Sequence, residues 1–170
     1  SPNVAKHLHA GHIRSTIIGE VLSELYQSVG YTSHRLNYVN DWGGVGFLLE
    51  GYDRWVDKLP KFETKNDLLY AVYKIYRRGE KVAQDEEEFN ALTSAASDEL
   101  TDYFGEFGSF VEFKDRFSGF KDASIEKFQK LEGGSELEFD LWKKMKEWSL
   151  EDFNRFYDLI NIHHDYTLGE

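Results

Sequence analysis

In the opening stretch "SPNVAKHLHAGHIRSTIIG", three of the chain's six histidines stand at positions 7, 9 and 12, with Lys6 ahead of them and Gly11 between the last two. At a helix entrance a three-residue spacing turns His9 and His12 the same way. Gly11 removes a side chain where something flat could approach the backbone. The first turn of a helix offers N–H groups and a partial positive charge, which suit an anion such as phosphate. Two imidazoles can add hydrogen bonds to phosphate oxygens, and Lys6 can add a point charge where negative charge builds up. The chemistry within reach is a phosphate-and-nucleotide cradle. By itself H-x-G-H is a short pattern that fits an ordinary polar helix entrance as well.

The elements that must position these residues follow in order. In "IRSTIIGEVLSELYQSVG", Ile13, Ile17, Ile18, Val21, Leu22, Leu25 and Val29 recur at three- and four-residue spacing and Gly30 supplies a stop, which predicts a helix with one buried face. "YTSHRLNYV" reads as a strand and "NDWGGVG" as a turn. Helix, link, strand and Gly-rich turn in about 45 residues is the cadence of a βαβ unit, its first strand expected upstream of Ser1.

A second helix is expected from Phe47 to about Trp55, and "KLPKFETKND" marks a boundary with Pro60. From Asn66 to Phe107 the pattern is helical and acidic, with Asp85 to Glu88 at a helix start where they favour its dipole. "FGSFVEFKDRFSGF" reads as irregular. Two weaker helices are expected near Ser124–Leu131 and Leu137–Lys146, separated by "EGGSE". Trp148 to Ile160 then carries a helical signature with Ser149 as N-cap and Asp152 three residues on, and "INIHHDYTLGE" is extended. The expected division is 1–59 as the first part of the core, 60–147 as an acidic helical insertion, and 148–170 as the return segment.

Composition sets the outer bounds. A chain of 170 residues, 41% hydrophobic and 16% aromatic, can fold around one good core. Its net charge of −11 repels phosphate backbones as a whole, so any nucleotide contact must be local. There is no apolar run of the roughly 18 residues a membrane span needs, and no signal-peptide pattern. The absence of cysteine excludes disulfides and thiolate metal sites and suits a cytoplasmic setting. His163 and His164, being adjacent in an extended segment, face opposite ways and have no third ligand in view, so no metal site is expected there. Arg14 reads as a surface or salt-bridge residue, and Asp41 and Trp42 as residues that shape the turn.

The flanks of the histidine pair narrow the reading. "SPNVAKHLHAGHIRSTIIG" resembles the signature of arginyl-tRNA synthetases, where S-P-N-x-A-K precedes the H-x-G-H form of the class I motif and [LI]-R-S-T-I-I-G follows it. "NYVNDWG" resembles the family's N-x-[VL]-G-D-W-G turn, and "WSLEDFNRFYDLINIHHDYTLGE" the helix and extended segment that lead into G-E-S. Asn40 stands where the family usually has Gly, and "GGVGF" departs from its common continuation. Nothing quotable matches between about Pro60 and Glu147.

The resemblance implies an α/β fold: the N-terminal part of a Rossmann-like nucleotide-binding fold with a mainly helical insertion. It implies a parent enzyme that activates arginine with ATP and passes it to tRNA(Arg). His9, His12 and Lys6 would be the catalytic residues, and with Gly11 they would bind ATP. Asn3 and Glu170 would bind arginine, the latter by facing its positive charge. Magnesium would accompany ATP, held by phosphates and water. The family's lysine-rich loop, second half-fold and anticodon-binding domain are not in this sequence. The expectation is therefore a catalytic-domain fragment, inactive alone, from a parent expected to be monomeric. The rival reading is a noncatalytic nucleotide-binding or interaction module that kept the fold.

Overall fold

The computed structural model describes residues 2–93 and 99–169. Helix α1 (Ala10–Ser28) leads to strand β1 (Leu36–Val39) and helix α2 (Val45–Trp55). Helices α3 (Lys65–Gln84), α4 (Glu86–Thr93), α5 (Glu99–Phe104), α6 (Phe110–Glu132) and α7 (Glu136–Leu159) follow, and strand β2 (Tyr166–Gly169) closes the order. The chain is thus helix-rich around a small parallel sheet, in which Leu36 to Val39 pair in register with Tyr166 to Gly169. The pairing continues past β1 as a parallel bridge between Asn3 and Asn40, with Asn40 N–H on the Pro2 carbonyl (2.9 Å) and Val4 N–H on the Asn40 carbonyl (3.0 Å). Three parallel segments therefore end side by side, at Asn3, Asn40 and Gly169.

Aromatic packing builds the core. Trp55 is fully buried and stacks on Phe120 at 5.0 Å, while Phe113, Phe117 and Phe120 put one face of α6 inward. Helices α2 and α6 approach closely because Gly46 has no side chain: a Cβ there would lie 2.3 Å from the Ser124 carbonyl oxygen. Helix α3 packs across α2, α6 and α7.

Three expectations need correction. The stretch read as irregular is mostly α6, which begins after Ser109, whose hydroxyl accepts the Glu112 N–H at 3.2 Å. Phe113, Phe117 and Phe120 keep helical spacing through it and bury, which outweighs the glycine between them. The helix expected from Trp148 is the second half of α7, so Ser149 is not an N-cap; it is buried in mid-helix. The "EGGSE" break does hold, with Gly133 as C-cap and Gly134 at φ 82°.

The third concerns α1, which forms as expected but whose apolar residues are not buried. Ser23 is its only buried residue, and polar contacts hold the helix to its neighbours: Arg35 reaches Glu20 with two hydrogen bonds (2.6 and 2.8 Å), and the Ser23 and Ser33 hydroxyls lie 2.6 Å apart. Among the described residues, the apolar stripe of α1 stays largely exposed, from Ile17 to Val29.

Candidate functional site

His9 is the N-cap of α1, with extended backbone (φ −133°, ψ 174°), and the two histidines cap the helix reciprocally. Gly11 N–H donates to His9 Nδ1 at 3.1 Å, and His9 N–H donates to His12 Nδ1 at 3.2 Å. The rings sit 4.0 Å apart, tilted by 49°. An Nδ1 that accepts a backbone N–H carries no proton, so in each neutral ring the N–H is on Nε2. The cap thus sets both tautomers and holds the two rings together at the positive end of the helix. It also answers the expectation that first-turn N–H groups are open: those of Gly11 and His12 are already bonded, the latter to the His9 carbonyl at 2.8 Å.

Between Asn3 and His9 the chain makes a left-handed turn. Ala5 has φ 63° and is fully buried. For a residue with a Cβ that conformation costs roughly 1–2 kcal/mol, so it must be held by its surroundings. Ser149 accepts the Ala5 N–H at 3.0 Å, and Asn66 donates to the Lys6 carbonyl at 3.3 Å. His7 then lies between Asp67 (3.3 Å) and Asp152 (3.6 Å), with its ring edge on Tyr70.

The Lys6 ammonium lies 4.8 Å above the Tyr73 ring. With Asn3, Asn40, Gly43, Tyr73 and Arg77 it lines a cavity of about 320 Å³ at the carboxyl end of the parallel segments. Burial pushes the phenol of neighbouring Tyr76 upward, with Glu80 adding to the shift. His12 lines a different cavity, about 310 Å³, between α1 and β1. The structure therefore pairs His9 with His12 and Asn3 with Lys6, in two adjoining clusters. Glu170 lies outside the described residues.

Two turn residues have clear local tasks. Asn40 Oδ1 accepts the Gly43 N–H at 3.1 Å, so the side chain that replaces the usual glycine ties off the turn. The Asp41 carboxylate is buried against the Lys146 ammonium, and its carbonyl accepts Trp142 Nε1–H at 2.9 Å. It also abuts the end of β2: a Cβ on Gly169 would sit 2.2 Å from Asp41 Oδ2. Lys146 and Asn66 were not singled out by the sequence, Ser149 was read there only as an N-cap, and no local spacing marks the contacts these three make. Burial lowers the basicity of His164, whose ring packs edge-on to Tyr157 at 4.6 Å. Among the described residues, no group of three or more histidines and carboxylates is placed to hold a metal ion.

All 170 residues match one protein family, described as the catalytic domain of class I tRNA synthetases (R). The chain belongs to that family. Among its relatives, a probable cytoplasmic arginine–tRNA ligase of Schizosaccharomyces pombe is 32% identical over 171 residues, all of this chain and 26% of that protein. The cytoplasmic arginine–tRNA ligase of Saccharomyces cerevisiae is 30% identical, and an arginine–tRNA ligase of Clostridium kluyveri 32%, each across 24% of its own length. The crystal structure of arginyl-tRNA synthetase from Plasmodium falciparum superposes with a TM-score of 0.54 at 22% identity, covering 99% of this chain and 22% of that one. The synthetase segment described here spans about a quarter of the length of the curated relatives it matches.

Proposed function

We propose that this chain supplies the histidine half of the ATP site, and part of the arginine site, of an arginine–tRNA ligase. The reading rests above all on the reciprocal cap, which holds the imidazoles of His9 and His12 side by side at the N-terminus of α1. That helix starts directly after a segment paired to a parallel sheet, the position at which open α/β folds take their ligands. We read the sheet and α1 accordingly as the N-terminal part of a Rossmann-like fold, and 60–147 as its helical insertion.

In the reaction, the arginine carboxylate attacks the α-phosphate of ATP and expels pyrophosphate. A terminal ribose hydroxyl of tRNA(Arg) then takes the arginyl group from the adenylate. The first step is a displacement dominated by positioning and charge stabilisation. His9 and His12 donate to phosphate oxygens as charge builds on them, and Lys6 helps neutralise the leaving pyrophosphate. Gly11 leaves the helix entrance open to the nucleotide. Asn3 contacts arginine near its α-amino end, and Glu170 faces its positive charge. Magnesium would accompany ATP, held mainly by phosphate oxygens and water. The cytoplasmic address named for the fungal relatives is proposed for this protein too, and no helix among the described residues is long and apolar enough to cross a membrane.

The test is ATP–pyrophosphate exchange by the protein expressed in its full reading frame, with tRNA present. Exchange should depend on arginine, and replacing His9 or His12 by Ala should lower kcat by about 10²–10³, the usual effect of losing one preorganised donor. Exchange supported equally well by other amino acids would overturn the reading in favour of another nucleotidyl-transferring enzyme, and no exchange at all would overturn it in favour of a noncatalytic module.

A further inference from the structure

We propose that Asn66 and Ser149 are positioning residues for the proposed reaction, holding the left-handed Ala5–Lys6 turn that sets Asn3 and Lys6 against His9. The inference rests on the site reading above. Ala5 and Asn161 are the non-glycine residues with positive φ among those described, and only Ala5 is buried. Its two flanks carry the proposed arginine contact at Asn3 and the proposed phosphate contacts at Lys6 and His9. A change of backbone at this one residue would move the two groups relative to each other.

What holds it is a closed set of hydrogen bonds from two helices far away in sequence. Ser149 Oγ accepts the Ala5 N–H at 3.0 Å and donates to Asn66 Oδ1 at 2.8 Å. Asn66 Nδ2 spends its two hydrogens on the Lys6 carbonyl (3.3 Å) and on Asp152 Oδ2 (3.0 Å). Every atom of the serine hydroxyl and the asparagine amide is thus used in one direction, which fixes the amide orientation without ambiguity. Both residues are completely buried. A serine in mid-helix commonly bonds back to a carbonyl of its own helix; here it reaches across to the motif segment. Asn66 stands in the first turn of α3, between the capping residues Thr64 and Asp67, so its position is anchored by that helix start. Neither side chain lines the cavity of Asn3 and Lys6 or that of His12. They act through the turn, and so are not catalytic residues.

Strain held in place by outside contacts predicts a specific rescue. Ser149→Ala frees the Ala5 N–H and lets the turn relax toward negative φ. Glycine at position 5 takes a φ near 63° at little cost and does not need the clamp. In the protein expressed in its full reading frame, Ser149→Ala should lower kcat for arginine-dependent exchange by about ten- to a hundredfold, as expected for displaced reacting groups. The KM for ATP should move much less. The double variant Ala5→Gly, Ser149→Ala should recover most of the lost kcat. Hydrogen exchange at the Ala5 amide, read on the same proteins, should speed up in Ser149→Ala. Ser149→Cys, which keeps the volume but weakens both bonds, serves as the second variant if Ser149→Ala does not fold.

An unchanged kcat in an active enzyme, or a loss that Ala5→Gly does not repair, would overturn the inference and leave the serine as a core-packing residue. If the unsubstituted protein shows no arginine-dependent exchange, the site reading fails instead. Amide exchange then decides the clamp separately: unaltered protection at Ala5 in Ser149→Ala would overturn it.

Discussion

Gly11 is small because His9 occupies the space beside it. A Cβ there would meet His9 Cε1 at 3.0 Å and Nδ1 at 3.2 Å, so the ring must shift by a few tenths of an ångström, which strains its bond to the Gly11 N–H. Alanine is otherwise the better helix former, so Gly11→Ala should keep the helical circular dichroism while lowering exchange kcat by about ten- to a hundredfold. Unchanged kinetics with full helicity would show that the His9 ring position does not matter. The histidine pair was legible in the sequence because its cap is local: the three-residue spacing that turns both rings one way also closes the box. Gly11 was legible only in part, since the sequence suggested room for a ligand and the structure shows room for an imidazole. The contacts of Asn66 and Ser149 were not legible, and the sequence offered Ser149 as an N-cap instead, because their bonds span 60 and 144 residues.

Helix boundaries follow the same rule of range. The break at Gly133 and Gly134 was readable from adjacent residues, whereas α6 and α7 extend further than expected because burial of Phe113, Phe117, Phe120, Met145 and Phe153 decides the matter. Close approach of two elements is likewise invisible locally. Gly46→Ala should place a methyl against the Ser124 carbonyl and Phe128 Cβ, and cost about 1–3 kcal/mol in urea unfolding, the usual penalty for overpacking. A second test concerns the α6–α7 junction. The Ser135 hydroxyl and the Lys127 ammonium (3.5 Å) hold the buried Glu138 carboxyl below the ordinary carboxylate range, the serine bond being the larger cause. A carboxylate whose pKa is lower in the folded state stabilises the fold above its unfolded pKa and loses that contribution as the pH falls through the folded value. Thermal melts should therefore weaken with acid from about pH 5 downward, and Glu138→Gln should flatten part of that slope. An identical slope in the variant would remove Glu138 from the account.

At the scale of the molecule, helical periodicity foretold that α1 has an apolar face, and it could not say where the partner of that face lies. In the structure Ile17, Ile18, Val21, Leu22, Leu25 and Val29 are 45% to 69% exposed, and the sheet adds exposed Leu36, Tyr38, Tyr166 and Leu168. Monomeric soluble proteins rarely leave contiguous apolar patches beyond a few hundred Å² uncovered. The 170-residue chain should accordingly self-associate through α1 when purified alone. Its net charge of −11 opposes that contact, so sedimentation velocity should show association growing with protein concentration and with salt, which screens the repulsion. Replacing Ile18, Leu22 and Leu25 together by Glu should return the chain to monomer with unchanged helicity, because none of the three packs in the core. A chain that stays monomeric at high concentration and high salt, or a triple variant that associates as before, would show that this face is not what drives association. The first outcome would also mean that water covers α1 at less cost than its exposed area implies.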